Sequence, residues 1–302
     1  MSTPITVSPV AGSSSTPRPP HKAPRKDATK LNFQFAPSRP AAQDRNLLIL
    51  FHGLGGLFLL LSSQETYFRL VADRLAAVRS LAACLAGDTS QPFFDLGKKL
   101  NLPSTAVLSI EAPLQIPLLE EPSFMFYPSF TLPDFMPEPH PNPSRILADL
   151  GALLDHLSDE CGWPADAIHL LGFGQGATVA GELALSYGRS HANRRLGSLV
   201  SVTGPLLSHP TTAKPNGTPV LAIHRPAPSS ALSTSDLASL RKGFSDVQEV
   251  KFRSGEGMPR SADEWRVVMT FWAKHLARED VGSGMGGGGE MYEVLSGGPR
   301  MS

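Results

Sequence analysis

The residues best placed to do chemistry are Gly172-Phe173-Gly174-Gln175-Gly176, which follow the apolar pair Leu170-Leu171 and open a helix-period segment. A buried strand that turns sharply into a helix, with glycines two residues to either side of the bend, is the setting of a G-x-S-x-G pattern. The serine of that pattern stands on a strained turn with its hydroxyl clear of the sheet, and the glycines sit where side chains would collide. A hydroxyl held in this way attacks a carbonyl carbon and forms a covalent acyl intermediate. Here the central position is Gly174. The chain has the socket for a nucleophile and lacks the nucleophile.

The elements that must position this turn are read from periodicity. Residues 46–51, 105–110, 167–172, 197–203, 219–224 and 247–252 form short, mostly apolar runs, as strands covered on both faces do. They alternate with helix-period segments. One, near Asn142 or Ser144, carries Ile146, Leu150, Leu153, Leu154 and Leu157 on one face, and 174–187 and 262–276 make two more. The alternation predicts an α/β fold: a mainly parallel central sheet with helices on both faces, its ligand crevice at the carboxyl ends of the strands.

At the end of the first of these strands stands His52-Gly53-Leu54-Gly55. A strand, this loop, and then G-F-x-Q-G about 120 residues on together resemble the phospholipase/carboxylesterase/thioesterase family, which includes the acyl-protein thioesterases. The resemblance covers roughly residues 47–276 and implies an α/β-hydrolase fold. It also implies an oxyanion hole built from the main-chain N–H groups of Leu54 and Gln175, with His52 and Gly53 as candidates for ligand contact. Donors of this kind are worth about 2.7–4 kcal/mol each to a reacting enzyme. The family's acid lies in a pattern similar to His-Gly-x-x-Asp, where this chain reads His224-Arg225-Pro226-Ala227-Pro228, so Pro228 stands at the carboxylate's place. Its histidine precedes the last helix in a Gly-Met-Gly-His-Ser context, where this chain reads Gly257-Met258-Pro259-Arg260-Ser261. Gly174, Pro228 and Arg260 thus occupy the three triad positions with no catalytic group intact. Glycine has nothing to attack with, and arginine, with a pKa above about 12, cannot take up the proton. The chain also resembles a fungal branch of predicted hydrolases with Gly-Phe-Gly-Gln-Gly at the elbow and Met-Pro-Arg-Ser before the last helix.

In the family Asp-Thr follows the HGLG loop directly. Here it returns only at Gly87-Asp88-Thr89, with residues 57–86 intervening. That stretch reads either as a lid over the crevice or as an untranslated segment kept in the gene's reading. Residues 1–30, rich in Ser, Thr and Pro with Arg18, Lys22, Arg25 and Lys26, read as a disordered basic arm, 31–280 as one domain, and the Gly-rich 281–302 as a disordered tail.

Other side chains could rescue catalysis or serve structure. Thr178, Ser201, His156, His169 and His224 fall within or at the ends of predicted elements and read as structural. Asp134, Glu138 and His140 share a proline-rich loop with Phe124, Phe126, Tyr127, Phe130 and Phe135, which either line an acyl pocket or pin the loop with their own rings. The 27 Lys and Arg balance 27 Asp and Glu, so no global field selects nucleic acid. Neither a metal cluster nor a cofactor fingerprint is read, and no 18-residue apolar run spans a membrane. Cys84 and Cys161 read as packed thiols of a cytoplasmic protein. The expected function is a catalytically silent member that binds an acyl or carboxylate ligand or a partner protein. The alternative is an active carboxylesterase, thioesterase or lysophospholipase with a non-standard nucleophile. A third reading, a scaffold acting through its arm and inserted helix, predicts affinity for proteins and none for lipids.

Overall fold

The computed structural model describes residues 21–38, 44–54, 89–116, 122–131, 136–192, 194–211, 214–227, 230–255 and 257–277. Residues 57–86, the 281–302 tail, Cys84, Asp134, Phe135 and Pro228 lie outside them.

A seven-stranded sheet forms the centre, in the order β1-β3-β2-β8-β9-β10-β11. Its strands are β1 (Phe33–Ala36), β2 (Asn46–Phe51), β3 (Thr105–Ile110), β8 (Ile168–Phe173), β9 (Ser198–Val202), β10 (Val220–His224) and β11 (Val247–Lys251). All neighbours run parallel except β1, which pairs antiparallel with β3 at one edge. Two short hairpins, β4 (Leu114–Gln115) with β5 (Phe124–Met125) and β6 (Phe130–Thr131) with β7 (Met136–Pro137), occupy the proline-rich segment. The helices are α1 (Ser90–Leu100), α2 (Ser144–Asp159), α3 (Gln175–Ser190), α4 (Thr234–Gly243) and α5 (Ala262–His275).

The apolar runs of β2, β3, β8, β9 and β10 have the burial that a doubly covered sheet requires, whereas β11, at the sheet edge and with Gln248, Glu249 and Lys251 in its sequence, has no buried residue. Every residue of β2 is buried, and alternate side chains serve opposite faces. Leu47, Ile49 and Phe51 join the cluster under α2, α3 and α4, while Leu48 and Leu50 join the one under α1 and α5. The leucine stripe of α2 lies in the first cluster, and Val268, Phe271 and Trp272 of α5 lie in the second. Sequence periodicity misses α4, a short helix held at its start by a capping box in which Ser233 and Asp236 bond each other's backbone. It also misses β1, whose four residues end against a proline.

Strand order places β3 on one side of β2 and β8 on the other. Chain connections therefore leave in opposite senses at β2 and β8, and the crevice of an open parallel sheet opens there. The loop after β2 and the turn after β8 are His52-Gly53-Leu54 and Gly174. Of the segment read as an arm, residues 21–28 lie against the domain. His21 stacks on Trp163 with ring centroids 4.1 Å apart, and the Lys22 N–H donates to the Cys161 carbonyl at 3.1 Å. Among the described residues no helix is long and apolar enough to cross a membrane.

The opposite, amino-terminal end of the sheet is tied by a buried polar network. His169 Nδ1 lies 2.8 Å from Ser198 Oγ and its Nε2 3.3 Å from Asn46 Oδ1. Asn46 also accepts from the Ala277 N–H at 2.8 Å and donates to the Ala277 carbonyl at 3.1 Å, docking the chain after α5 under β2. Burial pushes the His169 imidazole down to about 4, and it pushes His52 down as well. A group that resists protonation in the fold takes up its proton more readily once unfolded. The stability it contributes is present above the ordinary value near 6.5 and is lost as pH falls towards 4. The urea midpoint is therefore expected to fall between pH 6.5 and 4, and His169→Gln is expected to flatten that fall.

Candidate functional site

The turn after β8 is set by close packing of backbone on backbone. A methyl group at Gly172 would stand 2.4 Å from Ala177 Cα, and one at Gly176 would stand 2.2 Å from the His52 carbonyl oxygen. Any side chain at these two positions would push α3 off the sheet. Gly174 differs. Its backbone adopts φ 52° and ψ −119°, which L-residues rarely take, yet a methyl group there meets nothing nearer than Gly53 Cα at 4.0 Å. The apex thus has room for a side chain and a strained backbone beneath it, a cost of about 1–3 kcal/mol that glycine avoids. Its N–H donates to the Val202 carbonyl at 2.9 Å, and its carbonyl accepts from Ala177 and Thr178 as α3 begins.

Gln175 is the first residue of α3, so its N–H is among those that find no acceptor within the helix. Its side chain is buried and clamps the loop opposite. Oε1 accepts from the Phe126 N–H at 2.7 Å, and Nε2 donates to the Tyr127 carbonyl at 2.8 Å. Phe126 and Tyr127 are buried, and the Phe126 ring lies against Phe51 and His52. The Tyr127 hydroxyl bonds Thr178, whose hydroxyl donates to the Pro205 carbonyl at 2.8 Å, and burial raises the phenol's pKa. Ser201 Oγ donates to the Gly204 carbonyl at 3.3 Å. The Thr178 and Ser201 hydroxyls are engaged with carbonyls, and among the described residues no imidazole is bonded to them.

Leu54 is buried at the end of the His52 loop. His52 itself is enclosed: Nδ1 lies 3.0 Å from the Gly53 carbonyl, so it carries the proton, and Nε2 accepts from the Ala112 N–H at 3.1 Å. Both ring nitrogens are therefore taken within the fold, and the ring fastens the loop to the strand end of β3. His224 ends β10 with Nε2 3.1 Å from Glu249 Oε1, and this bond is the first cause of the lowered Glu249 pKa.

Two side chains that sequence reasoning passes over connect the loops. Phe173, next to the apex, fills the space that Gly53 and Gly257 leave. Methyl groups on those glycines would come within 2.7 and 3.7 Å of its ring. The residue before the turn therefore touches both the His52 loop and the loop preceding α5. Arg225, directly after β10, is buried to 1% exposure. Its guanidinium uses all five of its N–H groups. Nε donates to the Gly257 carbonyl at 3.1 Å, one terminal nitrogen to the Ser254 carbonyl and Glu264 Oε1, and the other to the Met258 carbonyl and Glu264 Oε2, each at 3.1 Å or less. Arg225 holds the Glu264 carboxyl down to about 2. The only sequence sign of this tie is an arginine in an otherwise apolar strand end. Arg260 lies three residues beyond Gly257 with its side chain exposed, and its N–H donates to Glu264 Oε2 at 2.7 Å.

The described residues thus bring together Gly174, Gly53, Phe173 and Gly257, with Gln175 next to the apex and Leu54 next to Gly53 in the chain. Among the described residues no group of three metal-binding side chains occurs. In thermal melts Gly174→Ala is expected to cost no more than about 3 kcal/mol, the backbone strain alone. Gly172→Ala and Gly176→Ala are expected to cost more, because backbone must move.

The phospholipase/carboxylesterase family model matches residues 86–276. An uncharacterised hydrolase of Mycosarcoma maydis is 38% identical over 248 residues, covering 80% of each chain. The crystal structure of esterase PE8 superposes with a TM-score of 0.58 at 18% identity, covering 82% of this chain and 100% of that one. A carboxylesterase from Mesorhizobium loti superposes with a TM-score of 0.54 at 13% identity, covering 83% and 98%. At these identities the two structures establish the fold alone. Strand order, the elbow and the family match lead to one assignment: the chain is an α/β-hydrolase-fold member of the phospholipase/carboxylesterase family.

Proposed function

We propose that this protein binds an acyl or carboxylate ligand in the family's crevice without hydrolysing it. The observation that carries the reading is the apex of the turn. The elbow is built in full, down to the close contacts at Gly172 and Gly176, while position 174 has no side chain to form an acyl intermediate. Arg260 stands where the family resemblance places the base, and a guanidinium stays protonated and cannot relay a proton. The neighbouring hydroxyls of Thr178 and Ser201 donate to carbonyls, which supports silence. Losing the nucleophile of such a unit costs on the order of a millionfold in turnover.

The ligand class follows from the groups left. Main-chain N–H groups at Leu54 and Gln175, the positive end of α3 and the exposed Arg260 cation suit a carboxylate or another anionic headgroup. No cofactor is required for binding of this kind. The free thiol of Cys161, packed against His156 at 3.5 Å, fits a reducing compartment, and we place the protein in the cytoplasm.

Labelling by a serine-directed fluorophosphonate and steady-state hydrolysis of ester and thioester substrates decide between this reading and an active esterase. The expected result is no labelling and no saturable turnover by the parent, with both gained in a Gly174→Ser, Pro228→Asp, Arg260→His triple variant. Saturable turnover by the parent, with a modified residue mapped on it, would overturn the proposal.

A further inference from the structure

We infer that Arg225 is the positioning residue for Arg260, the cation that the proposed function gives to the crevice, and that through Glu264 it sets the site's preference for a charged over a neutral ligand. The inference rests on the binding function proposed above. Arg225 cannot meet the ligand itself, since it is 1% exposed and all five N–H groups are spent on Gly257, Ser254, Met258 and Glu264. What it does is hold other groups in place. Three of its partners are the carbonyls of Ser254, Gly257 and Met258 along the segment that leads into α5, so the guanidinium gathers that segment around itself. Its guanidinium carbon also lies over the Phe252 ring, 4.9 Å from the centroid.

The coupling to Arg260 runs through one carboxylate. Glu264 Oε2 accepts from Arg225 at 2.9 Å and from the Arg260 N–H at 2.7 Å, while its own N–H donates to Ser261 Oγ at 3.2 Å. The Arg260 backbone is therefore anchored to a buried cation directly after β10 by way of an acid on α5. Gly257, in the same loop, abuts Phe173 beside the apex, and its N–H donates to Ser230 Oγ at 3.2 Å. The loop is thus held from β10, from α5 and from the elbow. An exposed arginine on a free loop loses rotational freedom when it captures an anion. On an anchored backbone the side chain alone must be ordered, and more of the interaction remains as affinity.

The experiment titrates dodecanoate and dodecanol into the parent and four variants by calorimetry, beside a thermal melt of each. The parent is expected to bind dodecanoate about tenfold more tightly than dodecanol, the yield of one charge-assisted contact. Arg260→Gln is expected to abolish that preference with dodecanol binding unchanged. If it does not, the role given to Arg260 in the proposed function fails. Arg253→Gln, an exposed cation on the same loop without a bond to Glu264, is expected to leave the preference intact. Arg225→Lys and Glu264→Gln each break the two-toothed bond, and each is expected to remove most of the preference while dodecanol affinity holds. If Arg225→Lys does not fold, Glu264→Gln alone decides. Retention of the preference in Glu264→Gln while Arg260→Gln loses it would overturn the positioning role. Equal loss of both ligands would also overturn it, since that marks collapse of the loop.

Discussion

The structure depends on how closely the start of α3 can approach the ends of β2 and β8. Gly172 lies against Ala177, and Gly176 lies against the His52 carbonyl, at distances that exclude any Cβ. This approach brings the first N–H groups of α3 beside the loop after β2, and it aims the apex of the turn into the crevice. The rest of the site is arranged around it. Gln175 reaches across to fasten the Phe126 loop, His52 fastens its own loop to Ala112, and Phe173 fills the gap between two glycine-bearing loops. A site held in this manner retains its shape when a reactive side chain is exchanged for glycine, because none of these contacts runs through the side chain at 174.

On the other flank the same task falls to a buried charge pair. Burying a guanidinium is costly unless every donor is satisfied, and a bidentate carboxylate with three carbonyls satisfies all of them. Such a pair contributes little net stability relative to a well-packed apolar substitute, but it defines where the loop must be. The two loops that follow β10 and precede α5 are those at which the family resemblance places the acid and the base. Here they are joined by Arg225 and Glu264. The guanidinium keeps its proton and the carboxyl, lowered to about 2, stays ionised, so the pair is fixed in charge and ties the two segments together.

The amino-terminal end of the sheet shows a contrasting use of histidine. His169, Ser198 and Asn46 form a network remote from the crevice, and Asn46 carries it on to Ala277 beyond α5. Its neutrality follows from burial, and its function is to close the domain across some 230 residues of chain. Polar ties therefore fix both ends of the sheet, this network at the amino-terminal end and Gln175 and Arg225 at the carboxyl end.

Periodicity and glycine spacing alone determined the strands of the parallel sheet, the helices around it and the position of the turn. Those signals are local, and each depends on residues within a dozen positions. They also placed His52 just past the end of β2 and Gly174 and Gln175 at the turn from β8 into α3, since a strand end or a helix start is defined by its neighbours. The tertiary structure decided what those groups touch. Nothing near Arg225 in sequence announces Glu264, thirty-nine residues on, and nothing near Phe173 announces Gly257. The antiparallel β1 and the short α4 escaped for the same reason: their few apolar residues acquire a face only when a neighbouring element supplies one. Sequence sets which residues can bond locally, whereas long-range partners are chosen by the packing of whole elements, and in this protein those partners shape the site.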